Sequence, residues 1–169
     1  RKYPYKGVLD QLANRSFAQG TNAWTAVDHT CYTMDTAGED GFLQLLPVYL
    51  DHLLYPTLTS SGFHTEVHHI KGDGDDAGVV YCEMKARENT VGDISDYELR
   101  RALFSVTSSY RSETGGRLSN LRDLTVETVR AYHAQSYCAG NFCAVVVGTV
   151  DTSNLLQCID NFLREAASS

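Results

Sequence analysis

The longest apolar run in the chain, FLQLLPVYLDHLL at residues 42–54, sets the first limit on what it can fold into. A membrane helix needs about 20 consecutive apolar residues. This run falls short of that, and Gln44, Asp51 and His52 interrupt it. With the preceding EDG it reads as a helix bent at Pro47 and closed before Pro56, since proline cannot donate the N–H that an interior helical position supplies. At 169 residues, 43% hydrophobic and 21% charged, the chain is long enough to bury a core and predicts one globular domain. The net charge of −7 is spread along the chain, with no basic stripe, which excludes nucleic acid as a partner and assigns the acidity to solubility. The chain opens on Arg1 rather than methionine and shows no signal-peptide pattern, which predicts a processed product or a piece of something longer. Five cysteines, an odd number without a C-x-x-C pair, predict reduced and largely buried thiols in an intracellular, reducing compartment.

Helical periodicity dominates the rest. YKGVLDQLANRSFAQG places Val8, Leu9, Leu12 and Ala13 on one side, with Gly20 just past its end. TNAWTAVDHTCYTMDTA reads as two strands joined at Val27, Asp28 and His29, the second alternating Tyr32 and Met34 against Thr33 and Asp35. Thr59 and Thr125 are expected helix N-caps, and Glu127 suits a first helical turn. VVYCEMKAREN reads as a helix, although Val79, Val80 and Tyr81 suit a strand equally. ISDYELRRALFSV and TSNLLQCIDNFL are further helices, and NFCAVVVGTV reads as a buried strand. The predicted class is α+β, a largely antiparallel sheet covered by helices, over a single domain of residues 1–169.

Three stretches imitate functional sites. FHTEVHH holds three of the six histidines. On a helix, Glu66 points about 200° away from His64 and His68; on a strand, those two histidines lie roughly 13 Å apart. Neither arrangement makes a zinc centre, so solvated or hydrogen-bonded histidines are expected. DGDDAGVVYCEM resembles a calcium loop, but Ala77 and Met84 stand where the fifth and twelfth ligands belong, which leaves an acidic surface turn feeding a helix. TGGRLSN neither follows a strand nor opens a helix at once, as a phosphate cradle must, and reads as a turn.

Four stretches together resemble the pitrilysin-like zinc metallopeptidases, whose motif is the inverted H-x-x-E-H: RKYPYKGVLDQL, GTNAWTAVDHTCYTM, LPVYLDHLLYPTLT and GVVYCEMKAREN. ETGGRLSNLRDLTVETVRAYHAQSYCAGN and VVVGTVD continue the likeness, which is strongest to the presequence-protease branch and its cytosolic relatives. The resemblance implies a partial peptidase domain of that fold and hydrolysis of unfolded peptides. Family zinc is held by two histidines and one more distant glutamate, with an open position for the water that attacks. The distant glutamate matches Glu83, and Glu66 matches a second acid that supports it. Asn22, Ala23, Trp24 and Thr25 match an edge strand that takes extended substrate through main-chain hydrogen bonds.

The H-x-x-E-H element is absent from these 169 residues, so the resemblance implies an incomplete domain, zinc held only in a longer protein, and an inert chain. The alternative is a non-catalytic structural or substrate-binding subunit of a larger, for example mitochondrial, assembly. Expected partners are an extended peptide and further domains or another subunit, in the cytoplasm or mitochondrion. An incomplete domain is also expected to leave apolar surface bare.

Overall fold

A computed structural model describes residues 7–15 and 18–167. Along the chain it carries α1 (Val8–Arg15), β1 (Thr21–Thr25), β2 (Thr30–Met34), α2 (Glu39–Leu54), α3 (Ser60–Glu66), β3 (His69–Ile70) and β4 (Asp76–Ala77). There follow α4 (Val79–Arg87), α5 (Val91–Leu103), α6 (Leu118–Asp123), α7 (Val126–Ser136) and α8 (Thr152–Ala167). β1 pairs with β2, and β3 pairs with β4 antiparallel, His69 facing Ala77 and Ile70 facing Asp76. Two compact units result, one from Arg1–Ala23, Tyr32–Thr57 and Ala134–Ser169, the other from Trp24–Cys31 and Leu58–His133.

The first unit is organised around α2. Leu45, Leu46, Val48, Tyr49, Leu50 and Asp51 are all buried, as a run apolar on most of its sides must be. Against it α1 buries Ala13, with Val8, Leu9 and Leu12 half-buried beside it, the face expected from their spacing. α8 packs on α2 through a half-buried stripe of Leu155, Cys158, Ile159 and Phe162, again at helical period. Pro47 sits inside α2 without ending it. Its missing N–H leaves the Leu43 carbonyl without the usual helical donor, and the Cys158 thiol donates to that oxygen at 3.5 Å.

In the second unit Tyr81, Met84 and Leu121 form the core, with Val67, Val80 and Leu118 packed against them. Thr59 caps α3 as expected, its Oγ1 accepting from the Gly62 N–H at 3.1 Å, and Thr125 does the same for Thr128 at 3.3 Å. Thr90 caps α5, accepting from the Asp93 N–H at 3.2 Å while its hydroxyl donates back to the Asp93 carboxylate. Glu88 accepts from the Leu118 N–H at 2.8 Å, supplying at the start of α6 the acceptor that a helix N-terminus lacks.

Several expectations are corrected. Among the described residues the sheet is limited to two two-stranded ladders rather than a broad antiparallel layer. NFCAVVVGTV is not a strand: residues 142–147 have no regular structure, and Val145 and Val147 are 81% and 92% exposed. A strand needs a partner for its main-chain groups, and none of the described residues pairs with this segment. β2 shows no alternation of burial, because Thr33 and Met34 are equally half-buried. α1 is described only from Val8 to Arg15; Tyr5, Lys6, Ser16 and Phe17 of the expected helix lie outside the described residues, as does RKYP. Cys82, Cys138 and Cys143 are exposed, so the thiols are free but not largely buried.

Candidate functional site

Glu83 is positioned by α4. Tyr81 is 1% exposed and Met84 is buried with it against Leu121, so one face of the helix is committed to the core. Glu83, two residues from Tyr81, turns about 200° away and is exposed together with Cys82. Glu66 is the last residue of α3 and is also exposed. Neither carboxylate makes a side-chain hydrogen bond or ion pair among the described residues. Lys85 forms none with Glu83, and Arg87 instead reaches Asp93 at 3.1 Å.

What anchors α4 is a polar knot centred on Asp76. Its Oδ1 meets His68 Nε2 at 2.7 Å and accepts from Arg122 Nε at 3.1 Å. Its Oδ2 accepts from Arg122 at 2.7 Å and from the Tyr81 hydroxyl at 3.0 Å. Arg122 also donates to the Tyr81 oxygen. The Arg122 guanidinium, seconded by His68, holds the Asp76 carboxyl well below the usual carboxylate range, whereas burial and then its hydrogen bond to Asp76 push the Tyr81 phenol up. The acidic loop is therefore not merely a surface turn: Asp76 joins β4, α4 and α6 in one knot. Of FHTEVHH, the helix covers only the part through Glu66. His68 then binds Asp76 and His69 Nδ1 meets the His64 carbonyl at 2.8 Å, so two of its histidines are hydrogen-bonded, as expected. The role of Asp76 was invisible in linear order, since its main partner lies 46 residues away.

β1 exposes all five of its residues, Asn22, Ala23, Trp24 and Thr25 among them, and Trp24 is 50% exposed. Its ladder partner among the described residues is β2 alone, which leaves one edge of β1 outside any ladder, with the Ala23 N–H donating to the neighbouring Asn22 Oδ1 at 2.9 Å. Such an edge can accept an extended peptide as an added strand.

The donor set does not make a zinc site. Among the described residues no three His, Cys, Asp or Glu side chains converge as a metal cage, and the exposed Glu83 carboxylate by itself cannot supply the three protein ligands that catalytic zinc requires.

No family model matches the chain. It is 50% identical to an uncharacterised protein of Caenorhabditis elegans over 170 residues, covering 100% of the chain and 17% of that protein. An uncharacterised protein of Saccharomyces cerevisiae is 47% identical, covering 100% of the chain and 17% of its own length. The mitochondrial presequence protease of Kluyveromyces lactis is 32% identical over 92% of the chain and 16% of the protease. The chain thus spans about one sixth of the length of the curated relatives it matches. Likeness to a presequence protease extends along nearly all of the chain, at lower identity than likeness to the uncharacterised proteins.

Proposed function

We propose that this chain forms part of a pitrilysin-like zinc metalloendopeptidase acting on unfolded peptides. The observation that carries this is the 32% identity to a mitochondrial presequence protease across 92% of the chain. The open β1 edge supports it: Asn22, Ala23, Trp24 and Thr25 would hold a peptide extended by main-chain hydrogen bonds, which selects for unfolded substrates without reading their sequence. Glu83 would serve as one zinc ligand and Glu66 as a supporting acid. Because no H-x-x-E-H occurs in these 169 residues, two histidines and the base glutamate must come from other polypeptide, and no catalytic step is assigned to this chain alone.

Trp24 is the only tryptophan, so its fluorescence reports directly on β1. Titrating an unstructured peptide into the chain is expected to change that emission saturably, with no cleavage in the presence of zinc. An unchanged emission removes the substrate-edge role; turnover by the chain alone refutes its inertness.

A second function fits a chain that keeps Glu83 and NAWT while no H-x-x-E-H occurs in these 169 residues: a non-catalytic structural or substrate-binding subunit of a larger assembly. Zinc content and peptidase activity of the natural polypeptide carrying this sequence separate the two. In the enzyme, Glu83→Gln lowers both; in the subunit, neither is present to lose.

A further inference from the structure

Charge is distributed unevenly in the second unit. The end of α5, the turn at Ser109–Arg111 and the approach to α6 surround an open hollow of about 280 Å³. Three guanidinia line it, from Arg101, Arg111 and Arg117, against one carboxylate, Glu113, in a chain whose net charge is −7.

The partners of these cations decide what the hollow can do. Arg117 is ion-paired with Glu88 at 3.1 Å. Arg101 donates to the Tyr97 hydroxyl at 2.7 Å and lies over that ring at 5.2 Å from its centroid, with no carboxylate partner among the described residues. Arg111 donates from one terminal nitrogen to the carbonyls of Arg101 at 2.7 Å and Phe104 at 3.1 Å, again without a carboxylate. Those carbonyls, at the C-terminal end of α5, fix where Arg111 sits and favour its positive charge, and no carboxylate among the described residues pairs with it. Glu113 accepts from the Gly115 N–H at 3.3 Å. The Tyr97 phenol is pulled below its ordinary value, by Arg117 first and by Arg101 after it, and so registers the same positive potential. Neutral donors complete the wall: Ser112, and the Asn120 amide, whose oxygen accepts from Ser119 at 3.5 Å and whose NH₂ has no acceptor among the described residues.

We propose that this hollow binds a phosphate group, free or as the monoester of a small molecule, between Arg101 and Arg111. The planar guanidinium presents parallel N–H donors that match an oxyanion in pairs. Two cations without carboxylate partners suit a dianion better than a monovalent carboxylate, which would leave one of them uncompensated. The hydroxyl and amide donors address the remaining oxygens. A single hollow in an acidic chain is not a nucleic-acid track, which needs a continuous basic surface.

The test is a titration of sodium phosphate into the 169-residue chain at neutral pH, with chloride adjusted to hold ionic strength constant, followed through arginine side-chain NMR signals. A saturable shift at Arg101 and Arg111 is expected. Arg101 is exposed, and Arg101→Gln is expected to fold, by circular dichroism, and to bind roughly tenfold or more weakly. Asn120→Ala, which keeps every charge, weakens binding by a smaller factor. Lys71→Gln, which removes a cation outside the hollow, leaves binding unchanged. Glycerol phosphate binding more tightly than inorganic phosphate marks a small-molecule ester as the occupant; equal or weaker binding marks free phosphate. No saturable shift with either ligand, acetate binding as tightly as phosphate, or Lys71→Gln matching the loss in Arg101→Gln overturns the proposal.

Discussion

The residue that organises the second unit is Asp76, an acid whose four contacts converge from His68, Tyr81 and Arg122. Its carboxyl is depressed chiefly by Arg122, so the folded state prefers the ionised form more strongly than the unfolded chain does. The stability it contributes is complete above the unfolded value, about 3.9 for an aspartate, and is lost as pH falls below that toward the folded value. Asp76→Asn is accordingly expected to lower the melting temperature at neutral pH. The gap from the unsubstituted chain closes as the pH falls below about 4, which thermal melts at a series of pH values would show. Little of this knot was legible in the chain. Solvated or hydrogen-bonded histidines were expected in FHTEVHH, but a partner 46 residues from Asp76 leaves no local pattern to find.

At the scale of elements, the helices followed from spacing. Val8, Leu9, Leu12 and Ala13 form one face of α1, and Thr59 and Thr125 cap the helices they precede. The placement of α4 depends on something narrower. Gly78 links β4 to α4 at a φ of +122°, and a Cβ there would come within 2.3 Å of the Val67 carbonyl oxygen. That same oxygen accepts from the Tyr81 N–H at 3.2 Å, so the close approach is also what seats the helix. Gly78→Ala combines an unfavourable backbone angle with a collision against main chain, and is expected to destabilise by more than about 1 kcal/mol in denaturant unfolding. Because α4 carries Glu83, the same substitution displaces the carboxylate proposed as a zinc ligand.

At the scale of the molecule, one exposed apolar stretch is informative. Residues 142–147 have no regular structure, Val145 and Val147 are among the most exposed side chains, and no ladder includes them among the described residues. An unpaired, β-branched run of this kind is a template for pairing with another chain. The 169-residue chain is therefore expected to self-associate with rising concentration in sedimentation, and the double substitution Val145→Lys, Val147→Glu to shift it toward monomer. Unchanged association would place the contact elsewhere.

The sequence by itself determined most of the helices, the Thr59 and Thr125 caps and the β1–β2 hairpin, because a helix bonds residues four apart and a hairpin bonds neighbours across a turn, all within a short window; α6, which begins inside the TGGRLSN stretch read as a turn, was not among them. Only the tertiary structure decided that NFCAVVVGTV finds no ladder partner among the described residues, that Asp76 is the centre of a knot and that Arg101 and Arg111 share one hollow. Each of those depends on which groups meet, or fail to meet, in the folded chain, and period and propensity carry no record of such partners.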